Sequence, residues 1–143
     1  MKKIEAELKR ADHLLFVSMK YTKTCDVIKN VIKRWVAVID LSVDRLLSRA
    51  KRKKIIGAIP TAPIAKTNLL LTTHKDPIVR EIIEMYLFFR RIDSMEQIRT
   101  NEFRKNVALI VINSNKETTI DIPKLNEWNS KLESFIKYVA EKL

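Results

Sequence analysis

The sequence is poor in glycine and cysteine. Its 143 residues include one glycine, Gly57, and one cysteine, Cys25. Phosphate-binding loops of the Walker and dinucleotide-binding types need several glycines, because backbone amides must approach the phosphate closely, so we do not expect those nucleotide-binding functions. One thiol forms neither an internal disulfide nor, by itself, a zinc site, which favours a reducing, cytoplasmic location.

Long apolar runs and histidine clusters are missing as well. The longest apolar runs are far shorter than the ~20 residues of a membrane-spanning helix, and no apolar signal-peptide core follows Met1. The two histidines, His13 and His74, have no cysteine or second histidine near them in sequence. His13 is expected at the surface or at an interface, and His74 in a loop. We therefore expect no metal, no cofactor and no membrane association.

Positive charge is abundant and unevenly distributed. The net charge is +11. Residues 1–59 contain 15 Lys and Arg against 6 Asp and Glu, whereas residues 60–143 contain 13 against 11. Such asymmetry favours an anionic partner; the alternative is a solvated basic surface without a partner.

Apolar residues recur every three or four positions, which predicts amphipathic helices. In the first helix, Leu14, Phe16 and Val17 widen the apolar stripe, so its second half is expected to be buried on nearly all sides. Trp35 and Trp128 fall on apolar stripes and are predicted to be core residues. The helices are expected over Lys3–Tyr21, from a cap at Thr24 or Asp26 to near Ala50, over Ala65–Leu71, from Pro77 to Ile92, and from Pro123 onward.

Residues 95–112 allow two interpretations, because short apolar runs do not distinguish a helix from a buried strand. Val107–Ile112 fits either structure, and Thr118, Ile120 and Ile122 alternate as in a strand. The predicted fold is mainly α. It is one domain, residues 1–143, forming an antiparallel bundle of four to five helices with a small β-hairpin before the C-terminal helix.

The strongest candidate for binding is a cationic run at the end of the second helix. Six positive residues fall within ten positions: Arg45, Arg49, Lys51, Arg52, Lys53 and Lys54. We call them the helix-end cationic cluster. They can contact phosphates as point charges, which gives salt-sensitive binding without sequence preference. The alternative is that they only balance the helix dipole and aid solubility.

A second basic segment surrounds Arg99, Arg104, Lys105 and Asn106. If this segment is helical, Arg99 and Asn106 are seven residues apart and lie on nearly the same face. Phe103 would anchor the segment, and Glu102, three residues from Arg99, is expected to be its salt-bridge partner.

The Arg-x6-Asn spacing resembles the motif of the HEPN superfamily of helical bundles. Many members have an Arg, four to six residues and then a His, and cut RNA without a metal at a dimer interface. Arg99 stands in the place of the Arg, and Asn106 in that of the His. The resemblance implies a homodimer and, as in some members, a nucleotidyltransferase-like protein partner.

At Asn106 the sequence departs from the family motif, whose histidine can transfer protons. An amide donates and accepts hydrogen bonds but is not an acid or base at neutral pH. We therefore expect a non-catalytic RNA- or polyanion-binding bundle, using both basic segments. The alternatives are a protein-interaction module, as a homodimer or bound to a nucleotidyltransferase-like enzyme, and a metal-independent endoribonuclease using His13 or His74 in place of Asn106.

Overall fold

The computed structural model describes residues 1–143 as five helices and one three-stranded antiparallel sheet. Helix α1 spans Lys2–His13 and continues through a π-helical turn, Leu14–Ser18, into a last α-helical turn, Met19–Tyr21. The other helices are α2 (Cys25–Arg52), α3 (Pro63–Thr73), α4 (Pro77–Arg91) and α5 (Ile122–Lys142). A 3₁₀ turn, Ile92–Ser94, follows α4, and the strands are β1 (Glu96–Thr100), β2 (Ala108–Asn113) and β3 (Lys116–Asp121).

Side-chain caps fix where three helices begin. Thr24 Oγ1 accepts a hydrogen bond from the Val27 amide at 3.3 Å, so Thr24 rather than Asp26 caps α2. Asp76 caps α4 and Asp121 caps α5 in the same way, each with a proline in the first turn. These caps satisfy backbone amides that have no partner inside the helix.

Helix α2 lies at the centre of the core. It contacts α1, α3, α4, α5 and β2. Trp35 on α2 stacks against Phe89 on α4 with ring centroids 5.9 Å apart, and Phe89 meets Trp128 on α5 edge-on at 5.0 Å. Both tryptophans are buried, which confirms their prediction as core residues.

The sheet settles the ambiguous segment. Val107–Ile112 falls largely within β2, which pairs with both β1 and β3, so the helical interpretation of residues 95–112 is wrong. Leu109, Val111 and Ile120 are buried on the inner face, with the period of two that a half-buried sheet requires. The expected hairpin is present as β2–β3, with β1 added as a third strand.

The second half of α1 also differs from expectation. Phe16, Val17 and Tyr21 are exposed, whereas Leu15 and Met19 are buried. Leu15 and Met19 continue the buried stripe of Ile4 and Ala11. Phe16 and Val17 follow Leu15 directly, so they lie about 100° and about 200° around a helix from it, outside that stripe. The expectation that this region is buried on nearly all sides is therefore wrong.

The prediction of a mainly helical bundle with a small β element before the last helix is confirmed. The helix predicted over Ala65–Leu71 is longer at both ends, and α2 continues two residues beyond Ala50. None of the helices combines the length and the apolar character needed to cross a bilayer.

One polar cluster inside the bundle is unfavourable. Asp12 Oδ1 on α1 and Asn129 Oδ1 on α5 are both buried without a hydrogen-bond partner, and Asn129 Nδ2 donates to Glu133 at 3.2 Å. Burial raises the pKa of Asp12, and the negative charge of Glu133 raises it further. The folded state therefore disfavours the ionised carboxylate of Asp12.

Replacing this charge is expected to stabilise the protein. Asp12→Asn should raise the melting temperature at pH 7, because it removes a penalised carboxylate. The gain should shrink as the pH falls through the raised pKa of Asp12 and vanish below its ordinary value of 3.8, where the native carboxyl is protonated in both states. Thermal unfolding from pH 3 to 8 measures this, with the exposed Glu141→Gln as control. A pH-independent gain, or a loss at pH 7, would contradict the account.

Candidate nucleic-acid interface

The helix-end cationic cluster lies where α2 ends and the chain turns back. Arg45, Arg49 and Arg52 follow one another at helical spacing. Lys54 has a φ of 60°, its amide donates to the Lys51 carbonyl, and the Ile55 amide donates to the Ala50 carbonyl at 2.9 Å. This is a left-handed helix cap at which glycine is usual. A lysine therefore occupies the position where the backbone favours a residue without a side chain.

No cation of the cluster is neutralised by an acidic side chain. None of the six forms an ion pair. The nearby carboxylates are engaged elsewhere: Asp44 binds Lys66 Nζ at 2.9 Å, and Asp40 accepts a hydrogen bond from the Tyr86 hydroxyl. Arg49, Arg52 and Lys53 alone line an open cleft of about 270 Å³. The end of α2 is thus a concentrated and unbalanced positive surface.

The first residues of α1 enlarge this surface. Lys2, Lys3 and Arg45 line a cleft of about 480 Å³ between the start of α1 and α2. Neither lysine forms an ion pair, and the one acid in the cleft, Asp44, is already bound to Lys66. Neither lysine could be linked to the cluster from the sequence, because both lie more than forty residues from it. The only indication was the excess charge of residues 1–59.

The second predicted site has a different geometry from the one expected. Arg99 lies on β1 and Asn106 in the loop before β2, so the helical face that would unite them does not exist. Arg99 binds Asp26 Oδ1 at 2.7 Å and Glu102 Oε1 at 3.4 Å. The predicted pairing with Glu102 is confirmed. Two carboxylates already balance the charge of Arg99.

The loop between β1 and β2 leaves its other cations free. Arg104 and Lys105 are exposed and form no ion pair. The Phe103 amide donates to the Lys23 carbonyl at 2.6 Å, which holds the loop against the turn between α1 and α2. The Asn106 side chain forms no hydrogen bond, and its backbone carbonyl accepts one from Asn101 Nδ2 at 3.5 Å.

The two predicted basic segments do not form one surface. The helix-end cationic cluster lies at the C-terminal end of α2, and the β1–β2 loop is held at the turn that precedes its N-terminal end. A 28-residue helix is about 42 Å long at a rise of about 1.5 Å per residue. The candidate residues therefore occupy opposite ends of the molecule.

The histidines do not complete a catalytic centre. His13 is exposed, and His74 Nδ1 is 2.6 Å from the Tyr138 hydroxyl. Burial, followed by the positive charge of Lys142, lowers the pKa of His74. Neither histidine forms a hydrogen bond with Arg99 or Asn106. No group of three His, Cys, Asp or Glu side chains is placed to hold a metal ion.

The ion pair of Arg99 can be tested through Asp26. The hydrogen bond and charge of Arg99 hold the pKa of Asp26 below its ordinary value of 3.8. Arg99→Gln should raise that pKa towards 3.8, whereas Lys29→Gln should raise it less, because Lys29 acts only through its charge. NMR titration of the Asp26 carboxyl measures both shifts. An Asp26 pKa unchanged by Arg99→Gln would contradict the pairing.

The ion pair should matter little for stability. Because the pKa of Asp26 is depressed in the fold, its contribution is present above the unfolded value and is lost as the pH falls through the folded one. Both side chains are substantially exposed, so solvent screens the attraction. The pair links β1 to the start of α2 but contributes little to the free energy of unfolding.

Comparison with known proteins adds no assignment. No family model matches the chain, and no curated protein or solved structure is significantly similar to it. The functional proposal below therefore rests on the geometry and charge of this chain's own residues.

Proposed function

We propose that the chain binds RNA or a similar polyanion without cutting it, and that the helix-end cationic cluster is its main contact. The observation behind this proposal is that six cations lie at one helix end and none has an acidic partner. Unpaired surface cations attract the phosphate backbone and release its condensed counterions on binding. Lys2 and Lys3 extend the same surface across the adjoining cleft.

Helix-dipole compensation accounts for only part of this charge. The dipole acts on charges within the last turn of a helix, where Arg49, Lys51 and Arg52 lie. Arg45 lies about two turns before the end of α2, and Lys54 lies beyond it. The cluster therefore holds more charge than the dipole uses, which supports an external anionic partner.

Three observations support a binding role over a cleaving one. The Asn106 amide does not ionise near neutral pH and so cannot act as an acid or base, and Arg99 is engaged by Asp26 and Glu102. Neither histidine is bonded to this segment. The resemblance to HEPN domains stays a prediction. In this fold the Arg-x6-Asn spacing spans a strand and a loop.

A protein-interaction module is the second candidate. Ile98 on the edge strand β1 is 42% exposed and pairs with Ile110, which is half-buried on the same outer face of the sheet. Such a face can pair with a second copy of the chain or with an enzyme partner. The homodimer and the nucleotidyltransferase-like partner rest on this surface and on the HEPN resemblance.

The cluster is tested by removing its charge and following salt dependence. We expect the quadruple change of Lys51, Arg52, Lys53 and Lys54 to Gln to weaken binding to a labelled 20-nucleotide oligouridylate. It should also flatten the plot of log affinity against log salt, by roughly 0.7 for each lost phosphate contact with a single strand. Fluorescence anisotropy between 50 and 300 mM salt measures both effects.

A matched control separates local from overall charge. Changing four cations of α5, Lys124, Lys131, Lys137 and Lys142, to Gln removes the same net charge from another helix. This variant should bind with nearly the native slope. Equal losses in both variants would show that net charge alone drives binding. RNA cleavage by the native chain in EDTA, abolished by His13→Ala or His74→Ala, would contradict the non-catalytic role.

A further inference from the structure

Two aromatic side chains project into solvent at the end of the molecule opposite the cluster. Tyr21 is 78% exposed and Phe103 is 74% exposed, more than any other large apolar residue. Tyr21 ends α1, and Phe103 lies in the β1–β2 loop. Large aromatic rings bury 150–250 Å² when they are packed, so two rings left in water represent forgone stabilisation.

The backbone holds these two segments together. The Phe103 amide donates to the Lys23 carbonyl at 2.6 Å, and Lys23 Nζ donates to the Lys20 carbonyl at 2.6 Å. Lys20 Nζ in turn lies 5.8 Å from the centre of the Tyr21 ring. Residues 20–23 and 103–105 therefore form one surface, which we call the aromatic tip.

Phe103 adopts a conformation that its side chain disfavours. Its φ is 67°, in the left-handed region, which glycine and asparagine tolerate and which is unfavourable for a bulky residue. The ring gains little packing in return, because most of it faces water. Strain combined with exposure is poorly explained by folding stability and points to a role in binding.

Unpaired cations flank both rings. Lys20, Lys23, Arg104 and Lys105 form no ion pair. The nearby acids Asp26 and Glu102 are both bound to Arg99, which offsets one of their two negative charges, so the four flanking cations still outnumber the acidic charge that is left. Rings interleaved with free cations are the features that single-stranded nucleic-acid sites combine, since every base has a face to stack and every nucleotide has a phosphate.

From this arrangement we propose that the aromatic tip binds single-stranded RNA, with bases stacked on Tyr21 and Phe103 and phosphates held by the four flanking cations. The inference rests on the proposed function and adds a preference for unpaired bases. A polyanion can bind the helix-end cationic cluster through charge alone, whereas the exposed rings of the aromatic tip require a ligand with flat apolar faces. A chain of about 12 nucleotides, at a stacked rise of about 3.4 Å, covers the ~42 Å between the two sites.

The rings are tested separately from the charges. Tyr21→Ala and Phe103→Asn are each expected to weaken binding of a 12-nucleotide oligouridylate by roughly 5- to 150-fold, the range for loss of one stacked base. Because the cations remain, the salt slope should be unchanged. Tyr21→Phe should bind as the native chain does, and Ile64→Ala, which removes an exposed apolar side chain on α3, should have no effect.

Two further measurements distinguish stacking from damage to the fold. An abasic oligonucleotide of the same length should bind the native chain and both ring variants equally, because it has no bases to stack. Phe103→Asn should also raise the melting temperature, since asparagine tolerates the left-handed backbone at this position. A lower melting temperature would show that the ring packs against the fold, and would overturn the strain argument.

The outcomes separate this inference from the proposed function. If both ring variants keep native affinity for the 12-mer while the cluster variant loses it, the aromatic tip is not a binding site and the helix-end cationic cluster is. If the ring variants lose affinity while the cluster variant keeps it, the aromatic tip is a binding site and the helix-end cationic cluster is not. No binding by the native chain at low salt overturns both. If the ring variants keep their RNA affinity but no longer sediment with phosphatidylserine–phosphatidylcholine vesicles as the native chain does, the tip contacts a lipid surface and the inference is wrong.

Discussion

The burial of α2 is the constraint on which the rest of the structure depends. Twelve of its 28 residues are buried, and every other helix packs against it. Each fully buried apolar side chain contributes roughly 1.5–3 kcal/mol, so this helix organises a large share of the core. The sheet is attached to it as well: Cys25 Sγ donates to the Ala108 carbonyl at 3.3 Å, and Asp26 binds Arg99.

The same helix determines where free charge lies. Its first turn meets the sheet, and the only acid there, Asp26, is paired with Arg99. Its last turns extend to a solvent-exposed end whose cations have no acidic partners, and the nearby acids Asp44 and Asp40 are bound to Lys66 and Tyr86. The separation between the cluster and the tip therefore follows from the length of α2.

The helical framework could be predicted from the sequence because its information is local. Apolar spacing and caps such as Thr24 and Asp76 place the helices to within a few residues. The segment around Arg99 could not be assigned in this way, since its apolar residues fit two periods and only pairing with β2 decides between them. The exposure of Phe16 and Val17 does not follow from their apolar character, because both lie outside the buried stripe of α1.

The candidate site residues show the same difference between local features, which the sequence predicts, and long-range contacts, which it does not. The helix-end cationic cluster was predictable because its six cations are close in sequence. Its lack of ion pairs was not, because pairing depends on residues from other elements. Arg99 shows this most clearly, because its partner Asp26 lies 73 residues away in the sequence. The contact between Phe103 and Lys23 likewise joins distant segments, so the aromatic tip emerges only in the fold.

The central claim is that RNA meets this molecule at the two ends of α2 and not along its other faces. Amide NMR of the isotope-labelled chain, titrated with the 20-nucleotide oligouridylate, tests it most directly. The account predicts that shifts concentrate at residues 45–54 and 2–3, with a second set at 20–23 and 101–106, while the exposed face of α5 stays unperturbed. Shifts centred on α5, or spread evenly over all basic residues, would contradict it.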